Sequence, residues 1–124
     1  MTIQVITPDD WKLVPASERG APPTAKMLGM LLSDANPCLF LLEEPPNYYT
    51  AVHSHSEPEV IVILEGRMMF NGKWVGPGTV VNVPANEDYW HATGDERCVV
   101  ALMRPTTRGK IRRAIELKAP ETVA

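Results

Sequence analysis

The run His53-Ser54-His55-Ser56-Glu57-Pro58-Glu59-Val60-Ile61-Val62-Ile63-Leu64-Glu65 decides how this chain is read. In an extended strand successive side chains point to opposite faces, so residues two apart share a face. His53 and His55 therefore project together. In the strand that follows, Glu59, Ile61 and Ile63 line one face while Val60, Val62 and Leu64 line the other. Pro58 cannot donate to a ladder, and a turn around it can bring the Glu59 carboxylate alongside the imidazoles. The second strand is apolar on both faces, which predicts that both are covered, the outer one by a partner subunit or a terminal segment.

Outward from that run, twelve prolines and eight glycines are scattered through the 124 residues and separate short runs rich in β-branched and aromatic residues. Strands are predicted at residues 3–7, 26–32, 37–43, 48–53, 59–65, 67–70, 73–75, 79–83 and 98–103. Asn71-Gly72 suits a type I′ turn, which needs positive φ at both central residues, so residues 68–70 and 73–75 are expected to pair as a hairpin. The middle of the chain has no amphipathic stretch of the length that a parallel crossover requires. The class expected is all-β, an antiparallel sandwich or barrel, in a single domain spanning residues 1–124. Residues 109–118 suit either a basic edge strand or a short helix, and 120–124 read as a loose tail.

The formal charge of −3, with acidic and basic residues intermixed, offers no extended positive surface for phosphates, so nucleic acid is not the expected partner. No apolar run approaches the ~20 residues of a membrane span, and the stretch MTIQVITPDDW does not have the pattern of a secretory leader. Cys38 and Cys98 sit in apolar surroundings and read as buried free thiols. A cytoplasmic protein with a small-molecule partner is the expectation.

The chain contains three histidines. Two of them stand beside a glutamate that opens a buried strand, a grouping that costs desolvation unless a cation compensates. Two neutral imidazoles and one carboxylate suit iron, manganese, nickel, copper or zinc, and leave coordination positions open. Glu59 must ionise and the histidines must stay neutral, so binding is expected to weaken in acid.

The pattern Asn47-(x5)-His53-x-His55-(x3)-Glu59-(x6)-Gly66 resembles the first motif of the cupin family, with Asn47 in place of a glycine; asparagine is the next residue most tolerant of positive φ. The second motif matches at Gly78-(x5)-Pro84-Ala85-Asn86, again with asparagine for glycine. Beyond it the pattern departs: Tyr89 occupies the position of the family's third histidine, His91 lies two residues later, and Asp95 replaces the closing asparagine. Either the turn over residues 86–90 is extended and still delivers His91, or Tyr89 faces the ion. Imidazole is the better neutral ligand and a shift of two keeps the face of a strand, which favours His91. The resemblance implies a double-stranded β-helix, the jelly-roll cupin barrel, with its core at about residues 37–104. It also implies one divalent metal ion held by His53, His55, Glu59 and His91, and often a homodimer.

This scaffold does not fix a reaction. Tyr49 and Ala51 share the strand parity of His53, and Ile61 that of Glu59, which makes them substrate-pocket candidates. Phe70, Tyr89, Trp90 and Leu102 are further ones. Such a lining is apolar and aromatic, without the inward cluster of arginine or lysine that a sugar phosphate would want. Arg67, Lys73 and Arg104 are assigned to exposed surface, as are the carboxylates Glu57, Glu87 and Asp88. The expected function is that of a small dioxygenase-like enzyme acting on a small aromatic or β-dicarbonyl compound, with iron first and Mn, Ni, Zn or Cu as alternatives. The competing readings are a metal-dependent isomerase or lyase of a small carbohydrate or hydroxy acid, and a non-catalytic small-molecule binder.

Overall fold

The apolar runs between prolines and glycines become strands because β-branched and aromatic side chains pack on a pleated surface while the punctuating residues supply the turns. A computed structural model of the protein describes residues 3–15, 27–32 and 37–113. After a 3₁₀ turn at Pro8–Asp10 come β1 (Val14–Pro15), β2 (Met27–Leu32), β3 (Cys38–Glu44), β4 (Tyr49–His55), β5 (Glu59–Glu65) and β6 (Met68–Phe70). They are followed by β7 (Lys73–Val75), β8 (Val80–Val83), β9 (Tyr89–Thr93), β10 (Cys98–Arg104) and β11 (Ile111–Arg113). The pairings are antiparallel and build one sheet in the order β1-β2-β3-β10-β5-β8 and a second in the order β11-β4-β9-β6-β7. This is the all-β jelly roll that the sequence predicts.

Alternation places the core. Glu59, Ile61 and Ile63 of β5 are buried, whereas Val60 and Val62 are half-buried and Leu64 is exposed. Leu102 of β10 lies opposite both Ile61 and Phe40, so three strands of the larger sheet turn one apolar face inward. Met68, Tyr89 and Val83 join the same core from the other elements. The two sheets face one another across it.

The turns follow the chemistry of their residues. Asn71 and Gly72 have φ of 46° and 92° and join the expected hairpin, in which Phe70 pairs with Lys73. Asn47 and Asn86 take φ of 55° and 64°, so asparagine does hold the left-handed turns where the family pattern has glycine. Gly66 is different, because a Cβ there would collide with the Arg97 carbonyl oxygen at a φ of 75°. No other residue fits.

Two expectations are corrected and one open alternative is decided. Residues 3–7 form no strand: Ile3 and Val5 are exposed and no strand lies beside them, while the Thr7 backbone N–H instead donates to Asp10 Oδ2 at 2.8 Å. Residues 89–93, where no strand was predicted, form β9, because His91 and Ala92 find partners on both sides, in β4 and β6. Of the ambiguous carboxy-terminal stretch, residues 111–113 are an edge strand against β4, and 114–124 lie outside the described residues.

Candidate metal and substrate site

The site is built on the smaller sheet. In β4 and β9, His53 pairs with Tyr89 and Thr50 with His91, and the register shifts between Thr50 and His53. That bulge inserts a residue and shifts the alternation by one, so that Thr50 rather than Ala51 shares the face of His53 and His55. Across β9, Phe70 of β6 stands opposite His91. The rings gather accordingly: His53 lies 4.9 Å from His55, 6.0 Å from His91 and 4.4 Å from Tyr89 between centroids, and Phe70 lies 5.4 Å from His91.

Each imidazole has a different anchor. His53 Nδ1 is 2.8 Å from the Ala51 carbonyl oxygen. A carbonyl can only accept, so the proton sits on Nδ1 and the Nε2 lone pair is left for the interior. His55 Nε2 is 3.9 Å from Glu59 Oε2. His91 Nδ1 is 3.3 Å from Oε2 of Glu44, which comes from the opposite sheet.

Glu59 is held on both oxygens. The Tyr89 hydroxyl donates to Oε1 at 2.6 Å and Arg104 Nε donates to Oε2 at 2.6 Å. Burial would push this carboxyl up, but the Arg104 guanidinium and the two hydrogen bonds outweigh it, and Glu59 ends below its ordinary value. Burial and the facing carboxylate push Tyr89 far above the usual phenol range, so it stays a donor.

Burial pushes His53 down to about 4, from an ordinary 6.5. Between those values the unfolded chain takes up a proton at this residue and the folded one does not. The metal-free protein should therefore lose on the order of 3 kcal/mol of stability as pH falls from 6.5 to about 4, with no further loss from this group below that. Urea unfolding across that interval is the measurement; constant stability would show that His53 is protonated in the folded protein.

His53, His55, Glu59 and His91 are thus brought to one interior, and so are Tyr89, Phe70, Ile61 and Leu102. Tyr89 and His91 do not compete for one place, since both side chains of β9 point inward. Tyr49, Ala51 and Trp90 lie elsewhere. Tyr49 stacks on Trp90 at 5.8 Å on the other face of β4 and β9, and Ala51 is exposed. Counting parity back from His53 fails for them because the bulge intervenes. Thr50 takes their place, paired with His91 on the inner side.

By type, three imidazoles and a carboxylate fit a divalent cation. As placed, no group of three or more His, Cys, Asp or Glu side chains among the described residues is gathered round an ion position. Each Glu59 oxygen accepts one hydrogen bond and keeps a second lone pair. Cys98 does not contribute, since burial first, and Glu44 beside it, push its thiol up to about 12. Neither cysteine forms a disulfide, and both are buried.

Two functional residues were not read from the sequence. Arg104, assigned to exposed surface, has the parity of Leu102 in β10 and so points inward to Glu59; extending the alternation by one residue finds it. Glu44 shares the parity of Phe40 and Leu42 and is fully buried, a charged residue at the end of an apolar strand. A recess of about 290 Å³ lined by Pro37, Pro58, Val60, Met103 and Pro105 lies beside the Glu59–Arg104 pair rather than over the imidazoles.

No protein-family profile and no curated protein sequence matches the chain. Solved structures do. The polyketide cyclase RemF from Streptomyces resistomycificus superposes with a TM-score of 0.78 at 23% identity, over 94% of this chain and 89% of that one. A cupin-2 domain protein from Rhodospirillum rubrum gives a TM-score of 0.69 at 22% identity, over 94% and 82% of the two chains. The DMSP lyase DddQ from Ruegeria pomeroyi gives 0.63 at 20% identity, over 84% and 60%. No helix among the described residues is long and apolar enough to cross a membrane. With two antiparallel sheets closed on a shared core and the histidine motif at the end of β4, this chain is a protein of the cupin fold.

Proposed function

We infer that this protein is a metal-dependent enzyme that converts a small aromatic or β-dicarbonyl compound to its enolate, with the imidazoles of His53, His55 and His91 holding the ion. The observation that carries this reading is the convergence of all three histidines of the chain in a buried interior beside Phe70 and Tyr89. A bound divalent ion would polarise a substrate carbonyl and so acidify the adjacent carbon, whose proton would pass to water. The chain's own part is to supply the environment. His53 stays neutral at physiological pH, Phe70 and Tyr89 offer aromatic faces to a planar substrate, and Arg104 is already paired with Glu59 rather than set to hold a phosphate. An enolate can react with oxygen, as in the dioxygenase expectation, or attack a second carbonyl. That a polyketide cyclase shares the fold supports the second course.

The test is hydrogen–deuterium exchange at the α-carbon of a panel of β-diketones and hydroxylated aromatic ketones, followed by NMR under anaerobic conditions. Metal-loaded protein should accelerate exchange at least about 100-fold over the free metal, the lower end of what positioned acid–base catalysis contributes, and His53→Ala should remove that gain. Oxygen uptake by iron-loaded protein then separates a dioxygenase from a cyclase. A panel without accelerated exchange sinks the reading.

The outer face of β5 supports a homodimer. Val80 lies opposite Val62 and Met103 opposite Val60, so these side chains and Leu64 form one exposed to half-buried apolar face. Light scattering after size exclusion should show a dimer, and Leu64→Lys with Val80→Lys should shift it to monomer. A wild-type monomer at micromolar concentration would exclude this surface as a stable interface.

A further inference from the structure

The orientation of an imidazole decides which nitrogen it offers, and the three histidines are oriented by different neighbours. His53 is set by a backbone carbonyl of its own strand. His91 faces Glu44, the last residue of β3, whose carboxylate crosses the interior from the other sheet to stand 3.3 Å from Nδ1. Glu44 is fully buried, with Phe40 and Leu42 inward on its own strand and Cys98 opposite it. A charge placed this deep costs several kcal/mol of desolvation, which a facing N–H dipole helps to offset. The pair is in contact but not aligned as a hydrogen bond. Histidine χ2 is broad, so the turn of the ring that aligns it costs little.

We propose that Glu44 is a positioning residue for His91: its carboxylate accepts from Nδ1–H and so holds the ring in the tautomer that keeps its lone pair on Nε2. A metal-binding histidine commonly needs such an acceptor on its other nitrogen, both to set the tautomer and to keep the ring in place. The inference rests on the imidazole cluster being the functional site proposed above. It adds the residue on the opposite sheet that prepares the cluster before anything binds.

The test uses the full-length, metal-free, ¹⁵N-labelled protein and long-range ¹H–¹⁵N correlation of the imidazole rings at mildly alkaline pH. Wild-type His91 is expected to carry its proton on Nδ1, and Glu44→Leu to give a tautomer mixture at His91 while His53, tied to Ala51, is unchanged. Competition with a chelator should show Zn²⁺ affinity reduced about 10–100-fold in Glu44→Leu. Glu44→Gln, whose amide oxygen can still accept, should restore most of that affinity. His91 protonated on Nε2 in wild type would overturn the proposal without any variant, as would a folded Glu44→Leu protein with unchanged tautomer and Zn²⁺ affinity. If Glu44→Leu does not fold, the wild-type tautomer together with Glu44→Gln decides. Wild type that shows the expected tautomer yet binds no Zn²⁺ would overturn the metal reading and leave the orienting role of Glu44 standing.

Discussion

Arg104→Met is expected to destabilise the metal-free protein by about 3 kcal/mol near neutral pH, the usual cost of removing one partner from a buried ion pair. Glu59 is buried to 2% exposure and Arg104 covers one of its oxygens from a side chain that is itself 25% exposed. Without the guanidinium, the Tyr89 hydroxyl is the hydrogen bond that remains, and the desolvation that Arg104 had outweighed now dominates. The variant escapes part of the penalty by protonating Glu59, and this reverses its pH dependence. Wild-type Glu59 is depressed, so its stabilising contribution is present above the unfolded value of 4.5 and is lost as pH falls. In the variant the carboxyl is raised, so its contribution is present in acid and is lost as pH rises through the folded value. Urea unfolding at several pH values reads both effects. The double variant Arg104→Met with Glu59→Leu should recover most of the loss, because apolar residues of similar volume replace a buried pair at little cost. Equal stability of wild type and Arg104→Met at every pH would show that Glu59 does not depend on Arg104.

His53→Ala is expected to weaken Zn²⁺ or Fe²⁺ binding by more than about 100-fold, since loss of a supporting acceptor alone costs about 10–100-fold and this removes a donor outright. His91→Ala should do the same. Both rings are buried at the interior surface of adjacent strands, so neither can be replaced by a neighbour without moving the sheet. Glu59→Gln separates two ligand sets. If the carboxylate keeps Tyr89 and Arg104 when the ion binds, the substitution changes affinity much less than loss of a histidine; if Glu59 turns to the ion, it costs as much. Equilibrium dialysis with elemental analysis of the dialysed protein measures all three variants against wild type. Stoichiometric metal retained by both histidine variants would remove them from the ligand set.

Much of the fold was legible because its signals are local. Strand alternation in residues 59–65 needs nothing but the sequence, and it placed Glu59, Ile61 and Ile63 on the buried face where they are found. The Asn71-Gly72 hairpin and the left-handed turns at Asn47 and Asn86 likewise depend on the φ that each residue tolerates. Parity failed at one kind of place, a bulge. The register shift between Thr50 and His53 turned Tyr49 and Ala51 away from the interior and brought Thr50 in, and no residue in that stretch announces it.

The histidine motif returns to the same division. The His53-x-His55-(x3)-Glu59 spacing by itself put two imidazoles and a carboxylate in one interior, because the interval is short enough for a strand and a turn to dictate it. Only the tertiary structure decided what stands round them. It brought His91 and Tyr89 in together from β9, put Arg104 on Glu59, and set Glu44 against His91 from the facing sheet. Those contacts join strands far apart in the chain, and which of them meet depends on how two whole sheets stack, which no local spacing encodes.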